Sequence, residues 1–146
     1  MKLVSTGLVF VAVLAGCGGG DGDRLSEEDF REQANAVCEE TLSEAEAIEA
    51  PASPEEIPEY VDRITPLVRQ GLERLRALQP PADLQADYDR MLDENEKALA
   101  NADDLAAAAA EGDAAKLQEV LAEGNAANET SDRLASKLGL DECAAE

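Results

Sequence analysis

Three cysteines carry the most distinctive chemistry in this 146-residue chain: Cys17, Cys38 and Cys143. A thiol can be alkylated, joined to a second thiol, or offered to a soft metal. The residues around them narrow that choice. The chain has no histidine, so it lacks the side chain most used as general base, proton shuttle and transition-metal ligand near neutral pH. No Ser–His or Cys–His pair can be assembled, and Gly-x-Ser-x-Gly and Ser-x-x-Lys patterns are absent. Carboxylates are plentiful, as in Glu39-Glu40, Glu55-Glu56 and Asp103-Asp104. Adjacent residues on a helix point in different directions, so these runs read as solvated faces and nominate no convergent acid pair. Asp21-Gly22-Asp23 resembles the start of a calcium loop, but the later ligands are missing. A cysteine pair without further soft ligands makes a poor zinc site. The reading is therefore no catalytic residue, no metal site and no cofactor.

Cys17 ends the string Leu14-Ala15-Gly16-Cys17, behind Lys2 and an apolar run from Leu3 to Leu14. That run is too short to cross a bilayer, which takes roughly 20 residues, and has the length of a secretory signal core. Ala15 and Gly16 are small, as a peptidase cleft requires just before the cut. The whole resembles a bacterial lipoprotein signal. The resemblance implies a diacylglyceryl thioether on Cys17 and cleavage before it. Two or three acyl chains anchor stably where a single one does not. The alternative is an ordinary secretory signal followed by an unmodified cysteine. The expected division is 1–16 signal peptide, 17–25 lipidated cysteine and flexible Gly/Asp tether, and 26–146 folded domain. The expected place of work is the outer face of the cell membrane. Export to an oxidising compartment leaves Cys38 and Cys143 as an even pair, expected to form a disulfide. It would close a loop of about 105 residues, for which loop-closure entropy gives ~4.7 kcal/mol. Two free, buried thiols are the competing reading.

Composition bounds the partners. The formal charge is −21, from 33 acidic and 12 basic residues. That excludes nucleic acid, whose phosphates need basic clusters, and adhesion to an anionic bilayer by charge alone. The expected partners are membrane lipid, through the Cys17 acyl chains, and another envelope protein. There is no tryptophan, and Tyr60 and Tyr88 are the only tyrosines, so aromatic platforms are scarce. Hydrophobic residues make up 45% and recur at helical spacing, which argues against a disordered chain.

The elements that must position these residues are four helical stretches. Ser26 caps the first, whose apolar stripe runs Phe30, Ala34, Val37, Cys38, Leu42, Ala45, Ile48. Pro51 and Pro54 end it. Ser53-Pro54-Glu55-Glu56 opens the second as a capping box, and Pro66 inside predicts a kink. Asp83 is the expected cap of the third helix. Gly112 closes that helix and Asp113 caps the fourth. Gly139 ends the fourth in a Schellman turn, with Leu140 as its apolar contact. Nothing alternates with period two. The expected fold is all-α: an antiparallel up-down-up-down four-helix bundle. For Cys143 to reach Cys38, the tail after Gly139 must turn back along the first helix.

Gly71, Asn95, Gly124 and Asn128 fall near mid-helix. They either let backbones approach closely or edge a small inter-helix pocket able to take an apolar ligand. Arg63, Arg69, Arg74 and Arg76 concentrate basic charge on the second helix. They are read as balance for acidic neighbours, with a docking strip as the alternative.

Ala34-Asn35-Ala36-Val37-Cys38, Leu138-Gly139-Leu140-Asp141-Glu142-Cys143 and Glu111-Gly112-Asp113-Ala114 together give a further likeness. The chain resembles the small exported α-helical lipoproteins of actinomycete bacteria. The resemblance implies a disulfide-closed helical domain at the membrane surface. It carries over no functional residues.

Overall fold

A computed structural model of the protein describes residues 24–144. The signal sequence, Cys17, and Asp21 and Asp23 lie outside them. Four α-helices follow in order: α1 (Glu27–Glu46), α2 (Ile57–Ala77), α3 (Gln85–Glu111) and α4 (Ala114–Leu138). Single turns of 3-10 helix stand at Pro54–Glu56 and Asp141–Cys143. There is no strand among the described residues. Consecutive helices pack on one another through short connections, giving the expected all-α antiparallel bundle.

Local sequence explains most of the ends. Ser26 Oγ accepts from the Asp29 amide at 3.1 Å, and Asp113 Oδ1 accepts from the Ala115 and Lys116 amides. Gly112 and Gly139 adopt φ of 68° and 74°, a region that side chains other than glycine's enter at a cost. After Gly139, the Leu140 amide donates to Ala135 O and the Gly139 amide to Ser136 O. Those two bonds are the Schellman turn, and Leu140 is fully buried beneath it.

Other ends differ from the sequence reading. Asp83 caps nothing: the chain turns through Leu84, whose amide donates to Pro81 O, and α3 begins at Gln85. The Ser53 side chain makes no cap bond. Glu56 accepts from the Ala52 amide rather than from the Ser53 amide, so neither bond of the capping box forms. α1 stops at Glu46, short of Pro51. Its last turn carries Glu44 and Glu46 and no basic residue, the wrong sign for a helix C-terminus. Pro66 is retained inside a continuous α2.

The core gathers at one end of the bundle, here called the base. Phe30, Ala34, Val37 and Cys38 of α1 meet Leu72 and Leu75 of α2, Tyr88, Met91 and Leu92 of α3, and Leu134, Ala135 and Leu138 of α4. Phe30 and Tyr88 pack edge-to-face with ring centroids 4.9 Å apart. The Tyr88 hydroxyl donates to Leu75 O at 2.8 Å, and burial pushes its ionisation well above the ordinary phenol range. Arg24 and Leu25 also belong to this body rather than to the tether. The Leu25 amide donates to Gln79 O, and Arg24 Nη1 donates to Pro80 O at 2.7 Å. Leu25 packs against the core cluster that holds Phe30, in the positions of a hydrophobic staple.

The tail folds back as the sequence requires. Arg31 Nε donates to Leu138 O, Asn35 Nδ2 donates to Gly139 O, and the Glu142 amide donates to Asn35 Oδ1. One turn along α1, the sulfurs of Cys38 and Cys143 stand 2.04 Å apart, at disulfide distance.

Candidate functional site

The opposite half of the bundle is built differently. α1 has 20 residues and α3 has 27, so at ~1.5 Å per residue α3 outreaches α1 by roughly 10 Å. Thr41 of α1 lies against Gly71 of α2, and α1 ends five residues further on, at Glu46. In this antiparallel pair, most of α2 before Gly71 therefore lacks α1 beside it. The α1 stripe loses its cover accordingly: Leu42 is 47% exposed, and Ala45 and Ile48 are half-buried.

An open groove of about 320 Å³ lies in this half, lined by α2, α3 and α4 with no residue from α1. Its apolar wall includes Val61, Ile64, Leu99, Leu105, Val120 and Leu121. Val61 and Val120 are buried, while Leu121 is 43% exposed. No lining residue carries a charged side chain, although 31% of the chain is charged. Four other surface depressions all include charged groups, such as Glu59 and Arg63 in one and Arg76 and Asp93 in another.

The groove's polar groups are amides and hydroxyls. Four of the chain's five asparagines line it: Asn95, Asn101, Asn125 and Asn128. Asn95 Nδ2 donates to Met91 O at 3.0 Å and to Ser131 Oγ at 2.7 Å. Ser131 is 2% exposed, so this pair ties α3 to α4 where the groove meets the base. Asn125 and Asn128 are exposed. Thr65 Oγ1 is buried and has no hydrogen-bond partner.

Of the mid-helix residues singled out in the sequence, the structure brings Asn95, Gly124 and Asn128 to this groove. Gly71 does not line it. It lies one turn below Val68, the last α2 residue of the lining, and faces α1. A Cβ there would meet Thr41 Oγ1 at 2.7 Å, whereas one at Gly124 would meet nothing within 4 Å. Gly71 thus serves close helix approach and Gly124 borders open space. Sequence reasoning missed Thr65, Asn101 and Asn125. The concentration of a poor helix former between residues 95 and 128 was the available signal.

The basic strip on α2 resolves in part into local charge balance. Arg74 pairs with Glu40 and Arg76 with Glu96. Arg63 lines the depression that also holds Glu59. The Glu55 carboxyl is held below the usual carboxylate range by the Ser53 hydroxyl and its own backbone amide. That favours its charged form, opposite to what a general acid needs. Among the described residues, no three His, Cys, Asp or Glu side chains are grouped to hold a metal ion. No helix among them is long and apolar enough to cross a membrane.

Compared with known proteins, the sequence matches no family model, no curated protein and no solved structure.

Proposed function

We propose that this protein is a lipid-anchored, non-enzymatic binding module on the outer face of the cell membrane, and that it carries a small apolar ligand in the α2–α3–α4 groove. The observation that carries the binding half is the groove itself: a concave, uncharged surface in an otherwise highly charged molecule. The lack of histidine and of nucleophile motifs supports a role without catalysis.

The anchor half rests on Leu14-Ala15-Gly16-Cys17. Arg24 sits at the base, so acylation of Cys17 would hold the closed base nearest the bilayer and leave the groove half further out. Mass spectrometry of protein extracted from membranes of the native host tests this. The expected species lacks residues 1–16, carries acyl chains on Cys17, and is lighter by two hydrogens for the disulfide. Unprocessed, unacylated chain in the cytosol would overturn it.

A second reading, docking to another envelope protein, draws on Leu42 and Leu121. Among the described residues they are the exposed large hydrophobics, at 47% and 43%. In-cell crosslinking distinguishes the two: a specific protein adduct through Leu121-side positions favours docking, and its absence favours the carrier.

A further inference from the structure

Resting on the carrier reading, we infer that the groove takes an uncharged amphiphile: an aliphatic chain ending in a hydroxyl- or amide-bearing head. Val61, Ile64, Leu99, Leu105 and Val120 offer an apolar wall suited to an aliphatic chain. A hydrocarbon alone would cover that wall but strip water from the asparagine amides and give them no partner. Each side-chain amide brings two N–H donors and one carbonyl acceptor, and leaving such groups desolvated and unpaired is unfavourable.

An ion fails for a different reason. The lining contains no charged side chain, so a carboxylate or ammonium would leave water without meeting a counter-charge. An anion is further repelled by a molecule of formal charge −21. A neutral head bearing hydroxyls or amides avoids both difficulties. It both donates and accepts, as Asn101, Asn125 and Asn128 require.

Thr65 supplies an independent sign. Its Oγ1 is buried without a partner, beside the apolar wall of the same groove. Buried hydroxyls normally find a partner, and a rotation of Thr65 that brings Oγ1 into the groove would let a ligand hydroxyl or amide provide one. The following residue is Pro66, which has no N–H, so Asp62 O lacks its usual helical donor at this same turn of α2.

The test uses the mature chain, residues 17–146, carrying Cys17→Ser so that no detergent is needed. Three ten-carbon probes are titrated below their micelle concentrations and followed by amide chemical shifts: 1-decanoylglycerol, decanoate and decyltrimethylammonium. The expected result is saturable binding of 1-decanoylglycerol, at least tenfold tighter than either ion, with shifts confined to α2, α3 and α4 around the groove. Gly124→Leu, which grows into open space, should weaken binding at least tenfold without lowering Tm. Thr65→Val, which keeps the shape and removes the hydroxyl, should weaken it several-fold. Either ion binding as tightly as the glyceride would overturn the ligand class and leave the groove reading standing. No saturable binding by any probe, or binding indifferent to Gly124→Leu, would overturn the groove reading itself.

Discussion

The base and the groove half share α2, α3 and α4, yet one is closed and the other open. In the base, four helices and a returning tail converge, and Phe30, Ala34, Ala135 and Leu140 are wholly buried. In the groove half, α2, α3 and α4 continue without α1, and asparagines stand where the base has leucine and methionine. The difference teaches that closure here depends on how far α1 runs and where the tail is fastened, not on how apolar each helix is. The α3–α4 hairpin stays packed far from the base because its contacts are small: Ala108, Ala109, Val120 and Ala127 are all buried.

The disulfide offers the sharpest way to break this contrast. It fastens the tail to α1 across a sequence separation of 105. Reduction, or Cys143→Ala, should lower unfolding free energy by about 2–5 kcal/mol, read as a lower denaturation midpoint. Unchanged stability on reduction would mean that the tail does not hold the base together.

Gly139→Ala should be next, costing about 2 kcal/mol. A side chain at φ 74° is strained, by roughly 1–2 kcal/mol. The added Cβ would also press on Arg31 Nε at 2.7 Å and disturb its bond to Leu138 O.

Alkali should attack the base through Tyr88. Its folded-state ionisation lies above that of an unfolded phenol, mainly because of burial. The unfolded chain therefore loses this proton first. The contribution is complete below about pH 10, the unfolded value, and is lost as pH rises beyond it. A Tyr88→Phe variant should show a shallower decline above about pH 10 in denaturant titrations.

The smallest effects should differ in sign. Gly71→Ala overpacks against Thr41. Offset by better helix propensity, it should destabilise by about 1 kcal/mol. Gly124→Ala meets nothing within 4 Å and should stabilise by about 0.5–1 kcal/mol. Equal shifts in Tm from the two variants would erase the distinction between packed and open glycine.

Much of the fold was legible because its signals are local. Ser26, Asp113, Gly112 and Gly139 end helices through bonds to residues no more than five away. The tail's return followed from two cysteines and an antiparallel order. Less local features were not legible. Asp83 has the chemistry of a cap, but Pro80-Pro81 and the turn to Leu84 set a later start for α3. Arg24 and Leu25 look like tether because Gly and Asp precede them, and only the neighbouring α2–α3 connection shows that they dock. Gly71 and Gly124 share a mid-helix place in sequence. Their fates diverge because inter-helix register decides which one faces α1.

Amide hydrogen exchange on the mature chain tests the contrast most directly. Amides in the base, around Tyr88–Leu92 and Leu134–Leu138, should exchange only through global unfolding. Amides of Val120–Asn128, beside the groove, should open locally at a free energy lower by at least ~2 kcal/mol. Equal opening free energies in both regions would contradict it.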